Sequence, residues 1–599
     1  MRQTFPKTCL AILIGLALPA TGLWAAGTEE EAPAAAADKK YVTDPTTGKV
    51  VSAPEYGGTI TFAQLPGRWQ TDTYISHTAQ FLVDGVVERL GIADWGIDRD
   101  LVDFRYDMLN WEAATGLLAE SWTQPDALTV VFKIRQGVYY HKKAPVNGRE
   151  LTAKDVEYYY HRQLGLGSGY TEPSPTWGIV TQPIESVTAT DNNTVVIKLS
   201  EPKYDILYHL LNDAHAAMYP PEILEEHGSA EDWRTIVGTG PYELTDYVDG
   251  SSATWTKNPD YWRYDQKYPE NRLPYAEELT SLWIAEEATK VAGLRTGKID
   301  AVGYWGWAQI KNVDSVESLV QTNPEIMIYP WSSRNESGFL VNMKEPPFND
   351  IRVRRAMQKA LNLPEMNETY FKGYGSWEPW GLIGSANRGA NNPFDEWPKE
   401  IQENYRYDPV EAERLLDEAG YPRGADGIRF KTTLTHPERH DLGHSELAAG
   451  YFARIGVDVE IDYVTEGVWN EISRGQKLDD MLSQAWSFDI ADPASALQLF
   501  GHSDGSINSA GFNDPGFDAM VEAALASNTF EERSALTKEA DLYTIENHWY
   551  IWAPKNTHFN VIQPWIIGYS GEVSIGITTF HGTLVRSWVD QELKAEMGF

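Results

Sequence analysis

Short segments in which every second residue is apolar predict half-buried β-strands at several places in the chain. One such segment covers 128–134, a second covers 195–199 and a third covers 457–463. Val195 and Ile197 illustrate the spacing, with polar or smaller residues between the apolar ones. Because successive side chains of a strand point to opposite faces, each segment predicts a strand with one buried side.

Helix-capping signals lie between these strand patterns. Asp408 is placed to cap a helix whose first residue is a proline, and Gly420 marks the end of that helix. A second helix is expected to begin at Asn349 or Asp350 and a third after Asp514, each with apolar residues at helical spacing. Alternating strands and capped helices predict an α/β protein and argue against a helical bundle or a β-sandwich.

Three stretches rich in glycine, proline and aromatic residues interrupt the periodic pattern. They cover 165–177, 324–333 and 373–398. Such compositions favour turns and irregular backbone. We therefore expect long loops or crossings between domains at these places.

Composition and charge restrict the class of protein. The chain has 599 residues, of which 42% are hydrophobic, and this length predicts two to four folded domains. Its formal net charge of −36 argues against binding nucleic acid or an anionic membrane through long-range attraction. The single cysteine excludes an internal disulfide framework and any multi-cysteine metal site.

The N-terminal segment is typical of an export signal. Arg2 and Lys7 precede an apolar run that is too short to span a bilayer, and small residues follow near Ala25. We predict a cleaved signal peptide over 1–26 and a flexible leader over 27–54. Cys9 precedes the apolar run, so no lipid-anchored cysteine is expected, and loss of the signal would change the formal charge from −36 to −38.

A nucleophile pattern of the form G-x-S-x-G surrounds Ser503, with Asp518 and three histidines downstream in the order found in serine hydrolases. The histidines are His548, His558 and His581. A serine nucleophile of this kind requires a sharp turn from strand to helix, but the sequence after Ser503 is polar and rich in glycine and asparagine. A turn-forming loop is the better interpretation, and an exported hydrolase remains the alternative from a different functional class.

Three histidines recur at four-residue intervals, at His436, His440 and His444. On one helix this spacing would present imidazoles to a nickel or zinc ion. Pro437 and Gly443 interrupt any such helix. We therefore predict a polar loop and no resident metal or cofactor.

The segment from Trp486 to Asp492 contains a tryptophan and two carboxylates and lies between a strand-like and a helix-like segment. A partly buried Asp489 beside Trp486 is suited to hold a ligand ammonium group, because the carboxylate accepts charge-assisted hydrogen bonds and the ring excludes water. The two carboxylates would also fit a glycosidase if their separation were suitable. Further tryptophans, including Trp377 and Trp380, lie in segments without a periodic apolar pattern. They are candidates to line a cleft or to fill a core.

Nearly the whole mature chain resembles the dipeptide- and oligopeptide-binding branch of the bacterial extracellular solute-binding proteins, family 5, which serve ABC importers. The resemblance is carried by ten segments in family order. These are 116–122, 131–138, 151–156, 237–242, 258–262, 297–300, 346–356, 407–409 with 418–421, 455–457, and 563–569.

This resemblance implies a two-lobed periplasmic-binding-protein fold of type II, in its large peptide-binding class, with an additional inserted domain. The implied division assigns lobe I to 55–95, 181–325 and 548–599, the inserted domain to 96–180, and lobe II to 326–547. Ligand would lie between the lobes, which would close by hinge bending. A monomeric periplasmic receptor that delivers its ligand to a permease is therefore expected.

The resemblance also implies roles for individual residues. Asp489 falls where peptide-binding members place the carboxylate that grips the ligand's α-ammonium group, and Trp486 fits the same pattern. Arg439 lies in the segment that supplies an arginine for the ligand carboxylate in dipeptide binders. The family also includes receptors for nickel chelates and oligosaccharides, so both remain alternatives to a peptide-like ligand. No catalytic residue is implied.

Overall fold

The computed structural model describes residues 41–599, with several gaps. The gaps are 68, 77–78, 105–112, 176, 178–182, 212, 304–307, 333–335, 386, 388, 439–441, 487–491, 528, 556 and 574–578. The predicted signal peptide and the first part of the predicted leader lie outside the described residues. No helix in the described part of the chain combines the length and the apolar character needed to cross a bilayer.

The rest of the predicted leader is not irregular, since it forms a β-hairpin. Strand β1 (Tyr41–Thr43) pairs antiparallel with β2 (Val50–Ser52). Asp44 stabilises the turn by accepting hydrogen bonds from the backbone NH groups of Thr46 and Thr47, at 2.8 and 2.9 Å. The prediction of a flexible leader is therefore wrong for this hairpin, because turn chemistry outweighs the polar composition.

A seven-stranded sheet, here called the lobe I sheet, has the strand order β10-β11-β12-β3-β13-β20-β14. Its strands are β3 (Thr59–Gln64), β10 (Tyr242–Val248), β11 (Ser252–Lys257), β12 (Glu278–Trp283), β13 (Ala301–Val302), β14 (Met327–Ser332) and β20 (Thr557–Ile562). The stretch 324–333, expected to be a long loop or a crossing between domains, contains β14 and leads directly into the chain's passage to a second sheet. Pro330 is tolerated there because β14 is an edge strand.

A five-stranded sheet, here called the lobe II sheet, has the order β17-β16-β18-β15-β19. Its strands are β15 (Glu336–Val341), β16 (Phe430–Pro437), β17 (Val457–Val464), β18 (Met481–Trp486) and β19 (Ile551–Trp552). On β15, Leu340 packs in one hydrophobic core, whereas Phe339 and Val341 pack in another. The sheet is thus covered on both faces, as expected for α/β construction.

A four-stranded antiparallel sheet, here called the side sheet, has the order β6-β7-β9-β8. Its strands are β6 (Ala119–Asp126), β7 (Thr129–Ile134), β8 (Ile184–Asp191) and β9 (Thr194–Leu199). Val130 and Phe132 of β7 share a core with Ile60 and Phe62 of the lobe I sheet. Because β9 pairs with β7 in the side sheet, the predicted boundary of the inserted domain at 180 would divide one sheet.

Short strand pairs and helices complete the fold. The remaining strands are β4 (Gly91–Ala93), β5 (Ala114–Gly116), β21 (Ile566–Ile567) and β22 (Trp588–Val589). The helices before 330 are α1 (Gln80–Val83), α2 (Ala153–Leu164), α3 (Ile206–Leu211), α4 (Pro221–His227), α5 (Glu287–Arg295) and α6 (Val313–Thr322). Those after it are α7 (Ile351–Ala360), α8 (Leu363–Tyr370), α9 (Lys399–Asn404), α10 (Pro409–Glu418), α11 (Leu442–Arg454), α12 (Glu466–Arg474), α13 (Pro493–Gly501), α14 (Pro515–Ala526), α15 (Phe530–Glu546), α16 (Thr579–Gly582) and α17 (Gln591–Glu596).

The predicted cap at Asp408 is confirmed, and so are the other two predicted helix starts, with Asp350 and not Asn349 as the cap. Asp408 accepts a hydrogen bond from the backbone NH of Glu411, Asp350 from that of Arg352 and Asp514 from that of Gly516. These caps begin α10, α7 and α14, the three helices expected from the sequence. The mixed α/β class could be predicted because helix caps and the alternation of apolar residues are features of short segments of the sequence.

Candidate ligand cleft

The chain crosses twice between the two large sheets. It leaves β14 at Ser332 and enters β15 at Glu336, and it leaves β19 at Trp552 and enters β20 at Thr557. Ser332, the last residue of β14, is paired with Thr557, the first residue of β20. Both crossings therefore meet the lobe I sheet at the same ends of its strands, and we call such a row of strand ends an edge of the sheet. Two short neighbouring crossings give a geometry suited to hinge bending.

Several strands of the lobe II sheet end beside these crossings. The last residue of β18, Trp486, is paired with the first residue of β15, Glu336. Strand β16 runs parallel to β18, with Thr435 opposite Leu482, so it ends at the same edge. In open α/β sheets, the carboxyl ends of parallel strands are where ligands bind.

The lobe I sheet presents a matching edge. Strands β3 and β12 are parallel and end together, with Gln64 opposite Trp283. Strand β13 runs in the same direction, and its last residue, Val302, lies opposite Val561 of β20. The segments after Gln64, Trp283 and Val302 therefore begin on the side where β20 enters from the crossing. We call the space bordered by these two edges the interlobe cleft.

Three predicted site residues can be placed only through the backbone of β16 and β18. Arg439 and Asp489 lie outside the described residues, and Trp486 is described only as backbone at the end of β18. Strands β16 and β18, which lead to Arg439 and Asp489, end at the cleft edge. The assignment of these side chains to ligand binding stays a prediction.

Trp380 lies beside the second crossing. Its ring centroid is 4.1 Å from Nζ of Lys555, a crossing residue that is 2% exposed. The same ammonium group donates to Oγ of Ser385 over 3.3 Å, and the backbone NH of Lys555 donates to the carbonyl of Ser376 over 2.8 Å. The loop that carries Trp380 is thereby attached to the crossing by both backbone and side-chain contacts.

Trp377 is more accessible than Trp380, with 37% of its surface exposed. Its ring meets the ring of Phe394 edge to face at 6.0 Å. Phe394 in turn contacts Trp397 at 5.1 Å, within one core of lobe II. Trp377 therefore extends an aromatic row from that core toward solvent, whereas Trp380 covers a buried cation.

A carboxyl group between the two tryptophans is perturbed by the same surroundings. Partial burial raises the pKa of Glu378, and repulsion from Asp395 raises it further. The positive charge of Lys555 opposes this shift. Glu378 therefore holds its proton to a higher pH than an exposed glutamate would.

Asp541 of α15 anchors the loop that carries the two tryptophans, and sequence reasoning gave no sign of it. Its carboxylate accepts from the backbone NH of Ile383 at 3.0 Å and from Nδ2 of Asn392 at 2.8 Å. A Cβ on Gly381 would lie 2.2 Å from this carboxylate, so only glycine leaves room there. No local pattern could reveal the contact, because Asp541 is far from the loop in sequence.

Tryptophan and histidine also contact each other on the lobe I side of the crossing. Trp331 Nε1 donates to Oδ1 of Asn560 over 3.1 Å, and its ring meets His558 edge to face at 4.9 Å. His558 Nδ1 accepts from Nε2 of Gln309 over 3.1 Å. Burial, together with the charge of Lys311, lowers the pKa of His558 to about 3, so the imidazole is neutral at ordinary pH.

The hydrolase arrangement around Ser503 is not formed in the described residues. Ser503 Oγ donates to Oδ1 of Asn513 over 3.4 Å, and its backbone NH donates to Asp518 over 2.9 Å. None of the candidate histidines hydrogen-bonds to this hydroxyl in the described part of the chain. The segment after Ser503 is irregular, as predicted, and no helix begins there.

Asp492, the second carboxylate near Trp486, has a structural role. It caps α13 by accepting from the backbone NH of Ala494, and it forms a buried ion pair with Arg533, whose Nε donates to it over 2.7 Å. A carboxylate committed to these contacts is not available as an acid or base. The glycosidase alternative therefore loses one of its two carboxylates.

The regularly spaced histidines do not share a helix. His436 lies on β16 and hydrogen-bonds to Oγ of Ser445 at 2.9 Å. His444 lies in α11 and stacks on Phe339 at 5.9 Å, while His440 falls outside the described residues. Among the residues with described positions, no group of three or more histidine, cysteine or carboxylate side chains is arranged to hold a metal ion.

Comparison with known proteins agrees with this geometry. The family model "Bacterial extracellular solute-binding proteins, family 5 Middle" matches residues 113–508, well over half of the chain. Heme-binding protein A of Haemophilus influenzae is 27% identical over 507 residues, covering 81% of this chain and 86% of the relative. The periplasmic oligopeptide-binding protein OppA of Escherichia coli is 26% identical over 505 residues, covering 80% and 86%.

The fold also matches solved structures. The periplasmic binding protein DppA of Helicobacter pylori, in complex with the peptide STSA, superposes with a TM-score of 0.66 at 21% identity, covering 90% of this chain and 99% of that one. This likeness confirms the predicted fold, the large type II class of periplasmic binding proteins. From the family match, the chain belongs to family 5 of the bacterial extracellular solute-binding proteins.

Proposed function

We propose that this protein is an exported receptor that captures a peptide-like solute in the interlobe cleft and delivers it to the permease of an ABC importer. One observation carries the proposal: β16 and β18 end side by side at the cleft edge, next to both crossings. The two residues expected to bind the ends of a peptide, Arg439 and Asp489, follow these strands directly. A relative named for oligopeptide binding supports the same class of ligand.

In this proposal the ligand is held at both ends. Asp489 accepts charge-assisted hydrogen bonds from the α-ammonium group, Trp486 shields that contact from water, and Arg439 binds the carboxylate. Trp377 and Trp380 form an aromatic wall on the lobe II side. Backbone groups of the cleft edges match the peptide backbone, so that side-chain pockets can accept many sequences.

Capture is coupled to closure of the lobes. A ligand that contacts both cleft edges favours the closed state, because it gains interactions there that the open state lacks. Bending at the two crossings would accommodate this motion. The permease would then recognise the closed form of a monomeric receptor in the periplasm, released from its signal peptide and without a lipid anchor.

The receptor performs no chemistry on its ligand. The relatives that it matches are named as binding proteins, and the hydroxyl of Ser503 faces an amide. A receptor for an oligosaccharide or a nickel chelate would use the same cleft. A binding assay with all three classes of ligand separates these alternatives from peptides.

The test is to identify the ligand directly. Mature protein from its native host is analysed by native mass spectrometry for bound small molecules, and ligand-free protein is titrated calorimetrically with unblocked tripeptides, oligosaccharides and a nickel chelate. We expect a bound peptide-like mass and saturable one-to-one binding of unblocked peptides. Binding of only the sugars or only the chelate would contradict the proposal.

A further inference from the structure

A pair of tryptophans stands at the lobe I edge of the interlobe cleft. Trp283 is the last residue of β12, and it is paired with Gln64, the last residue of β3. Trp69 follows β3 by a few residues and contacts Trp283 edge to face, with ring centroids 6.2 Å apart and an interplanar angle of 86°. Both rings therefore lie where the two parallel strands open toward the cleft.

The ring of Trp69 is held in one orientation by its surroundings. A Cβ on Gly67 would lie 2.7 Å from Cζ2 of Trp69, so the indole packs directly on the backbone of this glycine. Trp283 is 7% exposed and is itself braced by Tyr247, at 5.5 Å. A ring fixed between a glycine and a braced tryptophan loses little entropy when a ligand covers it.

The neighbouring strand ends have a different character. Gln64 and Ser281 are fully buried, and Ser281 Oγ donates to Oε1 of Gln64 over 2.8 Å. This hydrogen bond engages Oε1 of Gln64, whereas its Nε2 has no hydrogen-bond partner among the described residues. The half-buried Trp69 keeps part of its surface accessible. The lobe I edge thus places the partly exposed Trp69 near a hydrogen-bonded pair of buried polar side chains.

We propose that Trp69, positioned by Gly67 and Trp283, forms a subsite for an aromatic or bulky apolar side chain of the ligand. The inference rests on the proposed peptide-receptor function and adds a preference to it. An aromatic side chain of the ligand would meet the indole in an offset or edge-to-face arrangement, which adds to the gain from burying its surface. The receptor therefore prefers peptides with one aromatic residue over peptides of small residues.

The preference is tested with four unblocked tripeptides: Phe-Ala-Ala, Ala-Phe-Ala, Ala-Ala-Phe and Ala-Ala-Ala. Calorimetric affinities are measured for the parent protein, Trp69→Ala, the matched control Trp69→Phe, and Gly67→Ala, whose added methyl group displaces the indole. We expect one phenylalanine peptide to bind best to the parent protein. Trp69→Ala should weaken that peptide about tenfold and Ala-Ala-Ala less than about twofold, while Trp69→Phe keeps most of the preference. Gly67→Ala should resemble Trp69→Ala.

The outcomes separate this inference from the proposed function. If the parent protein binds all four peptides equally, or if Trp69→Ala weakens all of them by the same factor, the subsite is wrong although the receptor function stands. If the parent protein binds none of them, the proposed function fails and the subsite fails with it. Thermal unfolding of each variant establishes that it is folded, and Gly67→Ala, which should lose the preference in the same way, decides the case if Trp69→Ala is not folded.

Discussion

The ammonium nitrogen of Lys555 lies 4.1 Å from the centre of the Trp380 ring, where the chain crosses from lobe II back to lobe I. A buried cation needs partners that replace water, and an aromatic face supplies part of that stabilisation. The contact joins a loop of lobe II to the second crossing, and it therefore links the candidate aromatic wall to the segment at which the lobes would bend.

Replacing Trp380 by leucine should destabilise the protein. The substitution removes the aromatic face over Lys555, and we expect the free energy of unfolding to fall by about 2 kcal/mol. Trp377→Leu is the matched control, since that ring is 37% exposed, and it should cost less than about 1 kcal/mol. Urea denaturation measures both. Equal losses for the two variants would show that the contact between Trp380 and Lys555 adds no stability beyond that of a partly exposed tryptophan.

A double-mutant cycle tests whether Asp541 sets the position of the tryptophan loop. Asp541→Ala leaves the backbone NH of Ile383 without its acceptor, and Gly381→Ala forces a methyl group against the Asp541 carboxylate. Each change should lower the free energy of unfolding by about 2 kcal/mol. Together they should cost at least about 1 kcal/mol less than the sum, because the first substitution removes the atoms that the second one meets.

The control for this cycle is a distant glycine with open space, Gly467, where a Cβ would meet nothing within 4 Å. Gly467→Ala should combine additively with Asp541→Ala, to within about 0.5 kcal/mol. If Gly381→Ala and Asp541→Ala also add without coupling, the carboxylate does not hold the loop in the way that the structure indicates.

Glu88 provides a test through pH. It is fully buried, and this burial raises its pKa to about 7 from 4.5, although it accepts hydrogen bonds from the hydroxyl of Tyr261 at 2.8 Å and from Trp262 at 3.3 Å. The folded state therefore holds a proton that the unfolded state releases at lower pH. The contribution of Glu88 to stability is complete below about pH 4.5 and is lost as the pH rises through about 7.

Glu88→Gln should remove this dependence, because glutamine keeps the shape of the neutral acid. Between pH 5 and pH 8 we expect the parent protein to lose about 3 kcal/mol of unfolding free energy relative to the variant. His581 Nδ1 lies 3.9 Å from Glu88, and burial lowers the pKa of His581 to about 4, but that residue is present in both proteins. Parallel stability curves for the two proteins, from urea titrations at each pH, would contradict the assignment.

Many elements of the fold could be predicted because their determinants are local. The cap, the proline and the terminal glycine of α10 all lie within one short segment, and alternation predicted β7, β9 and β17. Strand β17 shows the limit of such patterns: it is an edge strand, and Tyr463 is 55% exposed although it falls on the apolar side of the pattern. The alternation of apolar residues predicts which residues share one face of a strand, but it does not predict where the strand lies in the sheet.

The contacts that shape the site could not be predicted from patterns. The tertiary fold brings the loop of the two tryptophans to Asp541, which meets Gly381, and to Lys555. Nothing in the sequence around these three residues distinguishes them from surface or loop residues. The segment of β14 was expected to be a long loop or a crossing between domains because of its proline and aromatic residues, and its edge position makes that composition compatible with a sheet. The family resemblance supplied an expectation that periodicity could not, namely that segments distant in the sequence combine into two lobes.

The most direct test of the receptor account concerns Asp489 and the ligand's α-ammonium group. Calorimetric affinity is measured for one peptide in unblocked and N-acetylated form, with the parent protein and with Asp489→Asn. We predict that the substitution weakens the unblocked peptide by about 10- to 100-fold and the acetylated peptide by less than about threefold, since only the former loses a charge-assisted contact. Unchanged affinity for the unblocked peptide would contradict the account.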